Sequence, residues 1–186
     1  MILYGVVKLL QKAKILFRNL EFDYYHWLLL ALTVLHLMPV WMFKYIPTQD
    51  GPCHIENSFM LLHYSDADRT YNRYYEVNTD PVPNWMSHIV MASLMAFLPP
   101  LIAEKILVSG YVILFVFGFY YLLNAVDSSK TFYVLLVFPF IYNYLFHMGF
   151  YNFSLSIPLT FIAIGYWWTH RDKLNWRETL VLNLLL

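Results

Sequence analysis

TFYVLLVFPFIYNYLFHMGFYNFSLSIPLTFIAIGYWWTH, Thr131–His170, runs for 40 residues without an Asp, Glu, Lys or Arg. A helix needs ~20 predominantly apolar residues to cross a hydrocarbon core, so this run predicts two crossings, about 132–147 and 153–168, separated by MGFYN. Toward the N-terminus, uncharged runs of 21 residues at Ile106–Val126, 23 at Pro81–Ala103 and 20 at Tyr24–Phe43 predict three more, about 106–126, 85–102 and 26–43. The expected fold class is all-α: a multi-pass transmembrane helical bundle in a cell inner membrane or plasma membrane, with the lipid bilayer as its surroundings. Composition points the same way. The chain is 60% hydrophobic, 20% aromatic and only 13% charged, against ~25% charged in an ordinary soluble domain.

The hydrophobicity excludes intrinsic disorder, and the absence of a dense basic patch excludes a nucleic-acid partner. The single cysteine, Cys53, excludes an internal disulfide. An arm over 1–25 interleaves Lys8, Lys12, Lys14 and Arg18 with apolar residues and no cleavage site follows, so it predicts an amphipathic segment on the cytoplasmic face. The first span then delivers 44–84 to the outside. This outer loop holds six of the twelve acids (Asp50, Glu56, Asp66, Asp68, Glu76 and Asp80). Within it, Ile55, Phe59 and Leu62 stand at helical spacing and predict a short amphipathic helix, and the prolines of TDPVPNW bring the chain back. Glu104 and Lys105 predict a tight turn between the second and third spans. Counting crossings puts HRDKLNWR outside although Arg171, Lys173 and Arg177 favour the inside; a re-entrant helix in the last block and a weak charge bias both account for that. TLVLNLLL opens another apolar segment, which predicts that 1–186 is the N-terminal part of a larger transmembrane domain.

TQDGPCHIEN, Thr48–Asn57, is the densest group of reactive side chains. Gly51 and Pro52 force a turn after Asp50, and His54 and Glu56 follow. That spacing suits a general base with a positioning group or a metal ligand, and equally suits an Asx-turn or N-cap at Asp50 with solvated neighbours. The expected cofactor is either none or a divalent cation, Mg²⁺ or Mn²⁺, held by Asp50, Glu56 and substrate phosphates; the metal ligands proper stay unknown, since no zinc-type spacing exists among Cys53, His54, Glu56 and His63. Within the apolar segments His36, His88, Asn124, Asn143, His147 and Asn152 are polar. Asn143 and His147, four apart, predict a shared helix face, and the group satisfies either itself or a polar pocket. Among the many aromatics, Tyr64, Tyr71, Tyr74 and Tyr75 of the loop are the candidates for ligand contact.

The arrangement of QDGPCHIENSFML after the first span, PVPNWMSH at the second and FHMGFYNFSLSIPL late in the chain resembles the GT-C type membrane glycosyltransferases. The resemblance implies an inverting transferase that moves a sugar from a polyprenyl-phosphate-linked donor to an acceptor at the outer face. It implies Asp50 as the catalytic acid of the first loop, with Glu56 and His54 beside it. Arg69 and Arg73 would neutralise the departing phosphate, and Asn57, His88, Asn143 and His147 complete the expected substrate-binding set. The chain departs from the family in lacking its adjacent acidic pair, since Gly51 follows Asp50. The alternative function is a membrane transporter, flippase or polymerase-like protein in which His36, Asn143 and His147 line a path. A non-catalytic membrane scaffold is the third.

Overall fold

Prolines and polar caps divide the apolar sequence into pieces much shorter than its uncharged runs. The structure, a computed structural model, describes residues 24–78, 80 and 84–185. The described residues are all-α, with no strand among them. Helix α1 spans Tyr24–Met42, α2 Gly51–Leu62, α3 Met86–Met95, α4 Pro100–Val126, α5 Phe138–Ile141, α6 Tyr144–His147, α7 Tyr151–His170 and α8 Trp176–Leu185. Short 3₁₀ turns cover Tyr71–Arg73 and Arg171–Lys173, and a longer one covers Ser128–Val137. The chain divides into two compact units, Met1–Leu32 and Thr33–Leu186. Only the opening half of α1 is described in the first unit, with Tyr24, Trp27, Leu28 and Leu30 exposed.

The boundaries have local causes. Pro52 sits in the first turn of α2, where its missing N–H removes nothing. Helix α3 ends after ten residues because Pro99, extended at φ −58° and ψ 146°, cannot continue it; Pro100 then opens α4. At the far end of α4 the Asp127 carboxylate accepts from the Ser129 N–H at 2.9 Å and from the Ser129 hydroxyl at 2.7 Å, turning the chain into the 3₁₀ stretch. Pro139 stands in the first turn of α5. Asn143, extended, caps α6: its side chain accepts from Phe146 N–H at 3.0 Å and donates to the Phe140 carbonyl at 3.2 Å.

These boundaries correct the multi-pass bundle of five spans. Among the described helices, α1 and α4 are long and apolar enough to cross a membrane. The expected span 85–102 is the ten-residue α3 followed by a turn. The expected span 132–147 is 3₁₀ structure and two four-residue helices, because Pro139 and the Asn143 cap interrupt it. The expected span 153–168 lies in α7, which is long but has polar residues and Pro158 along it and is not among the helices apolar enough to cross. Glu104 and Lys105 form no turn; both are buried inside α4. With two candidate spans in place of five, an outer-face loop at 44–84, a multi-pass location in an inner or plasma membrane and the lipid bilayer as partner lose the crossings on which they rested. The arm at 1–23 and the prolines at 81 and 83 lie outside the described residues.

In the second unit α4 packs along α7. Gly118 permits the approach, since a Cβ there would stand 2.7 Å from the Pro158 carbonyl oxygen. Met91, Val108, Val112, Val134 and Ile141 form the fully buried centre. Tyr111 carries its hydroxyl into this centre by donating to the Ile141 carbonyl at 2.6 Å, and its ring stacks on Phe146 at 5.4 Å. A buried hydroxyl needs such a partner, since leaving it unpaired costs ~1–3 kcal/mol.

Candidate functional site

The site is assembled where the start of α2 meets the start of α7. Gln49 N–H donates to the His147 carbonyl at 2.9 Å and Asp50 N–H to the Met148 carbonyl at 3.2 Å, tying the two segments by their backbones. Gly149 makes this possible twice over. Its φ is +86°, a region that side chains rarely adopt, and a Cβ there would lie 2.7 Å from the Asp50 nitrogen.

Beneath the first turn of α2 lies a buried hydroxyl and carboxyl cluster. Tyr151 OH donates to Glu104 Oε1 at 2.6 Å and, its proton so committed, accepts from Thr48 Oγ1 at 2.9 Å. Glu104 is 3% exposed and Tyr151 2%, so each depends on the other for satisfaction. Burial and then the neighbouring Glu104 push the Tyr151 phenol well above its ordinary range, keeping it a donor. Gly51 closes the cluster from above: a Cβ on it would stand 2.3 Å from Thr48 Oγ1 and 2.7 Å from both Glu104 Oε1 and Tyr151 OH. Next to Glu104, Lys105 donates to the Phe43 carbonyl at 2.6 Å and lies 5.7 Å from the Trp41 ring centre.

One turn along α2, His54 stacks on the Tyr151 ring at 5.3 Å between centres and brings Nδ1 to 2.9 Å from His88 Nε2. The tautomers follow from the far end of the chain of contacts. His88 Nδ1 is 3.1 Å from the Asn84 carbonyl oxygen, which can only accept. Neutral His88 therefore carries its proton on Nδ1, and its Nε2 accepts from His54 Nδ1–H. Burial holds His54 below the ordinary histidine range, opposed by the Gly149 carbonyl and the Asp50 charge. Burial and then the facing His54 hold His88 down, opposed by the Asn84 carbonyl.

Asn152 fixes the other side. Its Oδ1 accepts from Ser87 N–H at 2.8 Å, and its Nδ2 donates to the Asn84 carbonyl and to Ser87 Oγ, each at 2.8 Å. Asn84 is held at φ +77°, so the loop entering α3 is positioned by a side chain from α7. Between α2, the Tyr71–Arg73 turn and the start of α3 this arrangement leaves a cavity of about 320 Å³. Tyr64, Tyr71, Tyr75 and Trp85 give it aromatic walls; Asn57, Asn78, Asn84, Glu76 and His88 give it polar ones. Tyr64 OH donates to the Tyr75 carbonyl at 3.1 Å, closing the wall on itself.

The residues expected from sequence are distributed unevenly around this site. His54 and His88 meet directly, and Asn57 lines the cavity with Tyr64, Tyr71 and Tyr75. Asp50 stands at the head of α2 with no side-chain capping bond, and Glu56 is exposed on the same helix. Arg69 lies 4.8 Å from the Phe59 ring centre and 3.6 Å from Asp66, while Arg73 is exposed on its turn; neither lines the cavity. Asn143 caps α6 and also lines a second, apolar cavity of about 410 Å³ with Phe115, Phe140 and Phe161, and His147 is exposed with its carbonyl held by Gln49. Among the described residues no three His, Cys, Asp or Glu side chains gather as a metal-binding group. Thr48, Ser87, Glu104 and Tyr151 escaped sequence reasoning. The adjacent Glu104 and Lys105 in an otherwise uncharged stretch were the available signal, since such a pair placed in apolar sequence requires internal partners.

The polyprenyl-phosphate sugar transferase and its transporter, flippase or polymerase-like alternative both required a multi-pass bundle. Two candidate spans in place of five remove that basis. The polyprenyl-phosphate-linked sugar falls as partner with it. No protein-family model, curated protein or solved structure matches the chain.

Proposed function

We propose that this chain is a small-molecule binding protein whose ligand occupies the cavity between α2, the Tyr71–Arg73 turn and the start of α3. The observation that carries the reading is the cavity's lining: four aromatic side chains with a few convergent polar groups, in about 320 Å³. Ligand sites are typically concave, mostly apolar, oriented by a small number of polar groups and ~300–1,000 Å³ in volume. The surrounding hydrogen bonds serve preorganisation. Asn152 holds Asn84 and Ser87, His54 holds His88, and the Glu104, Tyr151 and Thr48 cluster holds the start of α2. A wall fixed beforehand does not have to be ordered when the ligand arrives, which removes ~0.5–1.5 kcal/mol for each side chain so held.

The test is a thermal-shift panel of small cations, neutral polyols and carboxylates on the full chain. At least one class should raise the melting temperature of the native protein and leave a Tyr71→Ala, Trp85→Ala variant unmoved. If no class shifts it, or the shift survives in the variant, the reading fails.

A further inference from the structure

The charge of the lining narrows the ligand. Among the described residues around the cavity Glu76 is the one formally charged side chain, and no Lys or Arg is among them. The bases nearest in sequence are turned to other work, Arg69 on Phe59 and Asp66, and Arg73 is exposed outside the lining. His88, the remaining basic group, has Nδ1 on the Asn84 carbonyl and Nε2 on His54, and its buried, depressed state keeps it uncharged near neutral pH.

Three further features bias the cavity toward positive charge. Aromatic rings carry a negative face, and Tyr64, Tyr71, Tyr75 and Trp85 place four rings around one small volume. Met60 and Leu61 belong to the C-terminal end of α2 and Tyr64 follows it; this is the end at which helix carbonyls and the macrodipole favour a cation. The start of α3 would favour an anion, but the Ser87 N–H there is already bonded to Asn152 Oδ1. An anion entering would face a carboxylate and ring faces with no compensating base.

We infer that the ligand is a small organic cation, of the substituted-ammonium class, seated against Tyr64, Tyr71, Tyr75 and Trp85 with Glu76 as its counter-charge. This rests on the cavity being the binding site proposed above. The ring faces recognise diffuse positive charge on an alkylated nitrogen, and the amides of Asn57 and Asn78 serve a hydroxyl or carbonyl elsewhere on the same molecule. A bare metal ion does not fit, because the lining offers it one carboxylate and hard cations take about six or more oxygen ligands.

The decisive comparison uses choline and 3,3-dimethylbutan-1-ol, its neutral carbon isostere, titrated into the full chain by calorimetry with glucose as a neutral polyol. Choline should bind about tenfold or more tightly than the isostere, the size expected of cation and ring contacts in a partly desolvated site. Glu76→Gln, at an exposed position, should weaken choline several-fold while leaving the isostere unchanged, and Tyr71→Leu should weaken choline more. Equal binding of choline and the isostere, or binding of glucose alone, overturns the cationic class and leaves the cavity as a binding site. Binding by none of the three overturns the cationic class as well, and the thermal-shift panel then decides whether the cavity itself is a site.

Discussion

Gly51→Ala adds one methyl group at the most crowded of the described glycines. Its Cβ would stand 2.3 Å from Thr48 Oγ1, 2.7 Å from Glu104 Oε1 and 2.7 Å from Tyr151 OH, and distances under 3.0 Å force something to move. What moves is the network: the three polar atoms hold one another at 2.9 Å and 2.6 Å, so displacing any of them breaks a buried bond. Over-packing alone costs ~1–3 kcal/mol and an unsatisfied buried polar group ~1–3 kcal/mol; since relaxation relieves one at the expense of the other, the net expectation is ~2–4 kcal/mol. For a chain of this size each kcal/mol lowers the melting temperature by ~2–4 °C, giving a fall of about 4–16 °C. Gly110→Ala is the internal control. Nothing lies within 4 Å of a Cβ there, and an alanine inside α4 gains ~0.5–1 kcal/mol over glycine, so its melting temperature should rise slightly. Calorimetric melts of both variants, with Thr48→Ala combined with Gly51→Ala to relieve the 2.3 Å contact, complete the measurement. A Gly51→Ala variant that melts with the native protein or with Gly110→Ala, or one that Thr48→Ala does not partly rescue, refutes the packing argument.

Asn152→Ala removes three bonds to the loop entering α3, so it should destabilise by ~2–3 kcal/mol and speed amide exchange at Ser87; unchanged exchange there would show that α7 does not position this loop. Because burial depresses both His54 and His88 below 6.5, the unfolded chain takes up protons that the folded chain refuses; the histidines' contribution to stability is full above pH 6.5 and falls as pH drops from there toward their folded values. The melting temperature should therefore be lower at pH 5.5 than at pH 7.5, with His54→Gln reducing the difference; a flat profile in the native protein contradicts it. Asn143→Ala should cost ~1 kcal/mol as a lost helix cap and His147→Ala almost nothing, and neither should change ligand affinity; a large affinity loss from His147→Ala would return that exposed side chain to the site.

The contrast between the readable and unreadable parts has physical causes. The uninterrupted apolar run Ile106–Val126 marked the body of α4, since nothing in it competes with helix. The equally uncharged Thr131–His147 misled because hydropathy does not register Pro139, the Asn143 cap or the Asp127 bonds to Ser129, which break helices without adding charge. Gly51, Pro52, Asp50 and His54 were visible as a reactive turn because they lie together in sequence. The partners that give them meaning do not. His88 stands 34 residues from His54, Tyr151 stands 103 from Thr48, and Asn152 stands 65 from Ser87; one sequence contains no record of such pairings. Glu104 and Lys105 read as a turn in the sequence because charge usually means exposure. Here a phenol donates to the first, and the second donates to a backbone carbonyl.

The 103-residue interval between Thr48 and Tyr151 also governs how the chain is born. A ribosome adding ~5–20 residues per second needs about 5–20 s to deliver the second partner after the first. Until Tyr151 and Asn152 emerge, the Glu104 carboxyl has no phenol once it has been made, and the loop entering α3 has no Asn152 to position it. Closure across so long a loop comes late in folding, so the buried carboxyl and hydroxyl of this cluster stay open to water until the chain has been made through Tyr151.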